Sequence, residues 1–150
     1  MAEAGAAREV TITRVFDAPR GLVWKEWTEP ERLAAWWGAR GWSAPPGRIV
    51  MDVRPGGAFR VVSVSDEDGA EIVQEGIYRE VVEPERLVIE EAAEGAWHGG
   101  ATTVVTFADL GDGRTEMVFR TTIRTTEEGL DAAAAGLAAA FDRLSEHLMA

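Results

Sequence analysis

The sequence predicts an α+β fold: a curved antiparallel sheet of about seven strands, two short helices after the first strand, and a long C-terminal helix across the concave face. Three observations carry this. Short runs rich in β-branched and aromatic residues alternate with turn residues from position 47 to 123. A proline-led, tryptophan-bearing stretch separates them from one earlier run of the same kind. The last segment repeats apolar residues at helical spacing. With 150 residues, 46% of them hydrophobic, the chain can bury one sizeable core. It reads as a single domain over 1–150, with its ordered part at about 9–148.

The first strand runs from Glu9 to Phe16, where Val10, Ile12, Val15 and Phe16 are interleaved with threonines. Asp17-Ala18-Pro19 ends it, with the aspartate as expected cap and the proline in the first turn of a helix over Pro19 to Trp27. Leu22, Val23, Trp24 and Trp27 give that helix an apolar side. Thr28-Glu29-Pro30-Glu31 has capping-box spacing and opens a second helix that runs through Trp37 and stops at Gly38. Strands follow at Ile49 to Val53, Ala58 to Ser65, Glu71 to Val82, Leu87 to Glu91, Thr102 to Phe107 and Thr115 to Ile123. Between them stand Pro55-Gly56-Gly57, Asp66-Glu67-Asp68-Gly69, Glu83-Pro84-Glu85, a Gly-Ala-Trp-His-Gly-Gly loop and Gly111-Asp112-Gly113. Thr125 and Glu128 have capping-box spacing ahead of a helix over Glu127 to Leu148, with Leu130, Leu137, Phe141, Leu144 and Leu148 as its stripe.

A sheet of this width curls, so a straight helix laid across it meets the rim better than the centre. Between Leu130 and Phe141 the helix offers Ala133, Ala134, Gly136 and Ala140, with Leu137 the one large side chain. These small residues leave room for a small-molecule cavity. Its predicted lining is Trp36, Trp37, Trp42, Met51, Phe59, Val61, Phe107, Met117, Phe119, Ala133, Leu137 and Phe141. Each of these side chains taken singly also suits an ordinary core position.

The net charge of −11, with arginines scattered among acids, argues against a nucleic-acid partner. No run of apolar residues is long enough to span a membrane, and the N-terminus lacks the basic and apolar regions of a signal peptide. The absence of cysteine removes disulfides and thiol chemistry and suits a reducing cytoplasm. Two histidines, His98 in the Gly-rich loop and His147 near the C-terminus, form no metal motif; no metal and no cofactor are expected. His98 beside Trp97 reads as an exposed loop or a lip over the cavity mouth, and His147 as an exposed residue. No general base or catalytic residue stands out. Arg14, Tyr78 and Arg120 sit within strands and could face either a salt-bridge partner or a ligand oxygen.

Several motifs in series, Arg14-Val15-Phe16-Asp17-Ala18-Pro19, Val23-Trp24, Trp27-Thr28, Pro30-Glu31 and Trp36-Trp37-Gly38, are similar to those of the heat-shock-protein-90 ATPase activator homologue-like branch of the SRPBCC (START / Bet v 1-like) superfamily. Met51-Asp52-Val53-Arg54-Pro55-Gly56-Gly57, Gly76-Ile77-Tyr78-Arg79-Glu80-Val81, Pro84-Glu85-Arg86-Leu87-Val88 and Phe141-Asp142-Arg143-Leu144 continue the likeness in the same order, so it spans Glu9 to Leu148. The resemblance implies a helix-grip fold with a pocket beneath the last helix. It does not imply one activity, since members carry hydrophobic molecules or act as aromatase and cyclase domains. Many relatives have tryptophan where Leu137 stands, a departure that reshapes the expected pocket.

Three functional readings remain open at this point. The first is non-enzymatic binding or carriage of a small hydrophobic or aromatic molecule. The second is a cyclase or hydrolase-like enzyme, which would need convergent polar groups in the pocket. The third is a protein-interaction, co-chaperone-like module, with Trp36-Trp37 as an exposed patch.

Overall fold

The computed structural model describes residues 6–38, 41–91 and 101–149. Strand β1 (Ala6–Phe16) leads into helices α1 (Arg20–Thr28) and α2 (Pro30–Ala34). Strands β2 (Trp42–Ser43), β3 (Ile49–Met51), β4 (Ala58–Ser65), β5 (Glu71–Val82), β6 (Arg86–Glu91), β7 (Ala101–Asp109) and β8 (Thr115–Thr125) follow, and helix α3 (Glu127–Met149) ends the chain. Every neighbouring pair of strands is antiparallel, in the order β1-β8-β7-β6-β5-β4. Beyond β4, one edge position is shared by β2, opposite Val64 and Ser65, and β3, opposite Phe59 to Val61. The sheet is therefore seven positions wide, as the run of turns predicts, although it contains eight strands.

Alternation selects its inner face. In β7 and β8 the odd-numbered residues from Ala101 to Phe107 and from Thr115 to Ile123 are buried, and they lie opposite one another: Ala101 with Ile123, Thr103 with Thr121, Val105 with Phe119 and Phe107 with Met117. Two features of β5 favour curvature. The register shifts by a bulge between Tyr78 and Glu80. At Gly76 an added Cβ would lie 2.2 Å from the Glu90 carbonyl oxygen, so the close approach of β5 to β6 requires glycine there.

The predicted element bounds differ from the observed ones by a few residues at most, but the expected caps do not form. Pro19 itself holds the cap position of α1, where no side chain caps the helix, so Asp17 has no capping role. The Thr28 hydroxyl donates back to the Trp24 carbonyl at 2.9 Å within α1; α2 opens at Pro30 after an extended, uncapped Glu29. It is also shorter than expected, ending at Ala34. Thr125 is held in the β8 ladder opposite Ala6, and Thr126 caps α3 by accepting the Gly129 amide at 3.1 Å.

Helix α3 packs against β1 and β8. Arg14 of β1 donates to the Asp142 carboxylate at 2.7 Å and to the Ala138 carbonyl at 3.3 Å. Arg143 donates to the carbonyls of Gly38 at 3.1 Å and of Trp37 and Ala35 at 3.4 Å, satisfying backbone acceptors just after α2. Trp27 is the centre of an aromatic cluster: the rings of Trp36, Trp37, Phe107, Phe119 and Phe141 have centroids 4.9 to 6.4 Å from its own. No described helix is long and apolar enough to cross a membrane.

Candidate functional site: a cavity between sheet and helix

Helix and sheet meet closely only along part of α3. Its buried residues, Ala140, Phe141 and Leu144, all lie in the C-terminal half. Towards its N-terminus the helix turns Ala132, Ala133, Gly136 and Leu137 towards the curved sheet, and with Leu137 the one large side chain among them they do not fill the bowl. A cavity of about 450 Å³ remains, within the usual range for a small-molecule site. Ala132 lines it and is itself exposed, so the wall reaches the surface there.

The wall has two chemical parts. One is aromatic: Trp27, Trp36, Trp37, Trp42, Phe59, Phe119 and Phe141. The other is polar, with one residue from each of five neighbouring strands: Ser63 of β4, Gln74 of β5, Glu91 of β6, Thr103 of β7 and Thr121 of β8. Trp37 Nε1 donates to Gln74 Oε1 at 3.1 Å, which orients the amide so that its nitrogen donates to Glu91 Oε1 at 3.4 Å. The Thr103 and Thr121 hydroxyls are hydrogen-bonded to each other at 2.8 Å. Ser63, only 5% exposed, has no side-chain hydrogen bond among the described residues.

Of the residues predicted from sequence, Trp36, Trp37, Trp42, Phe59, Phe119, Ala133, Leu137 and Phe141 line the cavity. Met51, Val61, Phe107 and Met117 do not: they belong to or pack on the core. The reason is position along the strand. Phe107 is covered edge-on by Trp24 and Trp27 of α1, which fill that end of the bowl, and Met117 lies opposite Phe107 in the ladder. Sequence reasoning missed Trp27, Ile72, Ile89, Ala101, Ile123 and the polar residues of the wall. Residue parity could have found Ser63, Thr103 and Thr121, since they share it with the apolar residues assigned inwards on the same strands.

The ionisable candidates also find places. Arg14 faces inwards but is engaged by α3, whereas Arg120 is outside, 3.8 Å from Glu9. Tyr78 is buried beside Phe59, away from the cavity lining, and its hydroxyl has no hydrogen-bond partner among the described residues. Burial pushes its phenol pKa upwards, and the nearby Asp52 charge adds to this. His147 is not a free surface residue as expected: its Nδ1 hydrogen-bonds the buried Glu26 carboxylate. Trp97 and His98 lie outside the described residues. Among the described residues, no group of three His, Asp or Glu side chains could hold a metal ion.

A curved antiparallel sheet gripping a C-terminal helix, with a cavity between them, defines an α+β helix-grip protein. Residues 17–149 match the family described as Activator of Hsp90 ATPase homolog 1-like protein, and the chain belongs to that family. It is similar to a protein of Chromobacterium violaceum (TM-score 0.81, 21% identity, 94% of this chain and 97% of that one). A Rhodobacter sphaeroides protein is similar at TM-score 0.77 and 25% identity, covering 97% and 94%. The AHSA1 protein of Silicibacter pomeroyi is similar at TM-score 0.78 and 15% identity, covering 95% and 98%. No curated protein matches the chain.

Proposed function

We propose that this protein binds a small hydrophobic or aromatic molecule between its sheet and α3, without transforming it. The observation that carries the reading is the cavity of about 450 Å³, walled largely by aromatic rings and roofed by alanine and glycine. Apolar surface of this kind binds through area removed from water, roughly 25 cal/mol per Å² before the costs of association. The eight predicted residues at its wall would be the contact set.

Titration with Nile red tests the reading, because the tryptophans at the wall report directly on occupancy. Saturable binding that raises the melting temperature is the expected result. Ala133→Phe, which places a ring in the empty space, should abolish both signals while the protein stays folded. Absence of binding by the unmodified protein, or undiminished binding by the variant, would overturn the proposal.

The family description names a chaperone-ATPase activator, and this favours a second reading as a protein-docking module. Trp36, expected to anchor an exposed patch under that reading, is 0% exposed. A docking surface would therefore have to use other residues.

A further inference from the structure

We infer that the ligand class is an uncharged aromatic molecule carrying hydroxyl or carbonyl oxygens along one edge, rather than a plain hydrocarbon or a carboxylate. This rests on the cavity being the binding site, and it concerns the polar side of that cavity. A pocket meant only for hydrocarbon would gain nothing from polar side chains on five adjacent strands, since each must be desolvated when the ligand enters.

Three hydroxyls define what the ligand offers. Ser63 is 5% exposed, lines the cavity and lacks a side-chain partner among the described residues, so it has both a proton to donate and lone pairs to fill. Thr103 and Thr121, 6% and 5% exposed, share one hydrogen bond at 2.8 Å. Whichever hydroxyl donates in that bond, the other keeps its own proton for a further acceptor, and both oxygens keep accepting capacity. A ligand oxygen that can donate and accept satisfies such groups; a hydrocarbon leaves the Ser63 hydroxyl and the remaining threonine proton dry and unpaired. Charge narrows the class. The chain carries a net charge of −11, so the field of the whole protein disfavours a ligand carboxylate. The ring of the ligand then stacks against the aromatic side around Trp37, Phe59 and Phe119.

Calorimetric titration at neutral pH with naphthalene, 2,7-dihydroxynaphthalene and 2-naphthoate tests the assignment. The diol should bind on the order of tenfold more tightly than naphthalene, and naphthoate more weakly than either. Thr103→Val combined with Thr121→Val replaces both partners of one hydrogen bond by groups of the same shape, a change that proteins tolerate well. In that variant, and more mildly in Ser63→Ala, the advantage of the diol should shrink while naphthalene binding persists. Melting curves establish that both variants are folded. If naphthalene binds and the diol gains nothing, or if its advantage survives in both variants, the ligand assignment falls and the apolar cavity reading stands. Tightest binding by naphthoate overturns the charge argument and with it the assignment. If none of the three compounds binds, the cavity reading itself fails.

Discussion

Glu26 is 1% exposed, yet it is a carboxylate on a helix that otherwise buries Val23, Trp24 and Trp27. Its oxygens receive Arg32 Nη1 of α2 at 3.2 Å and hydrogen-bond His147 Nδ1 of α3, while its backbone carbonyl accepts Trp36 Nε1 at 3.3 Å. One side chain thus joins three helices. Removing it takes the partner from His147 and leaves Arg32 with Glu29 alone, so Glu26→Ala should cost about 2 kcal/mol in urea unfolding; this is below the full penalty for a broken buried pair because Arg32 keeps Glu29 and both partners are partly solvated. Glu26→Gln, which can still accept from Arg32, should cost less. Tyr78 presents the opposite case, a buried hydroxyl with no partner among the described residues. Its pKa is raised in the folded protein, chiefly by burial and secondarily by Asp52. Folding therefore favours the protonated phenol. The associated stability is intact below the unfolded value of about 10 and is lost as pH rises from there through the folded pKa. Because this is the only tyrosine, its absorbance reports the titration without overlap. Tyr78→Phe should leave stability at neutral pH unchanged or raise it by up to about 1 kcal/mol, and should flatten the alkaline loss. A large destabilisation by this variant would mean that the hydroxyl is satisfied after all.

At the scale of elements, α3 is held unevenly. Arg14 and Arg143 bond at or near its C-terminal half, where Ala140, Phe141 and Leu144 are buried; no residue of the described helix before Ala140 is buried. Backbone amides around 130–137 should therefore exchange with deuterium faster than those around 140–147. Arg143→Ala should accelerate exchange in the second group, and a bound ligand should slow the first. Uniform protection along the helix would contradict this division. The layout of elements was legible in the sequence because turn residues and β-branched runs are local signals, and Ala58–Ser65 and Glu71–Val82 match their predicted bounds. The strand Trp42–Ser43 was not, since two residues cannot display a period of two. Choosing Thr126 over Thr125 as a cap depended on where β8 stops pairing with β1. In the site, alternation identified which face a side chain takes, but not how far along the bowl it lies, so Phe107 and Met117 were grouped with Phe119. The Glu26–His147 bond joins positions 121 residues apart, a separation over which no local pattern carries information.

For the molecule as a whole, the small residues of α3 set stability against binding capacity. Gly136 costs about 1 kcal/mol relative to alanine in a helix interior, and the space beneath it forfeits packing that a filled core would have. Its backbone does not have the positive φ of the glycines that turn this chain, so a side chain is conformationally acceptable there. Gly136→Leu should then gain helix propensity and cover apolar wall at the same time, adding about 1–3 kcal/mol. For a domain of this size each kcal/mol corresponds to a rise of about 2–4 °C in melting temperature. The same leucine occupies the space between helix and sheet, so the apolar probes should lose measurable affinity for the variant. A more stable protein that no longer binds is the signature of a void kept open at a cost in stability. The pressure dependence of unfolding offers an independent check, because filling the void removes volume that unfolding would otherwise eliminate. Gly136→Leu should make unfolding less sensitive to pressure. A variant that is destabilised, equally pressure-sensitive and still able to bind would show that the helix and sheet do not enclose the space on which binding depends.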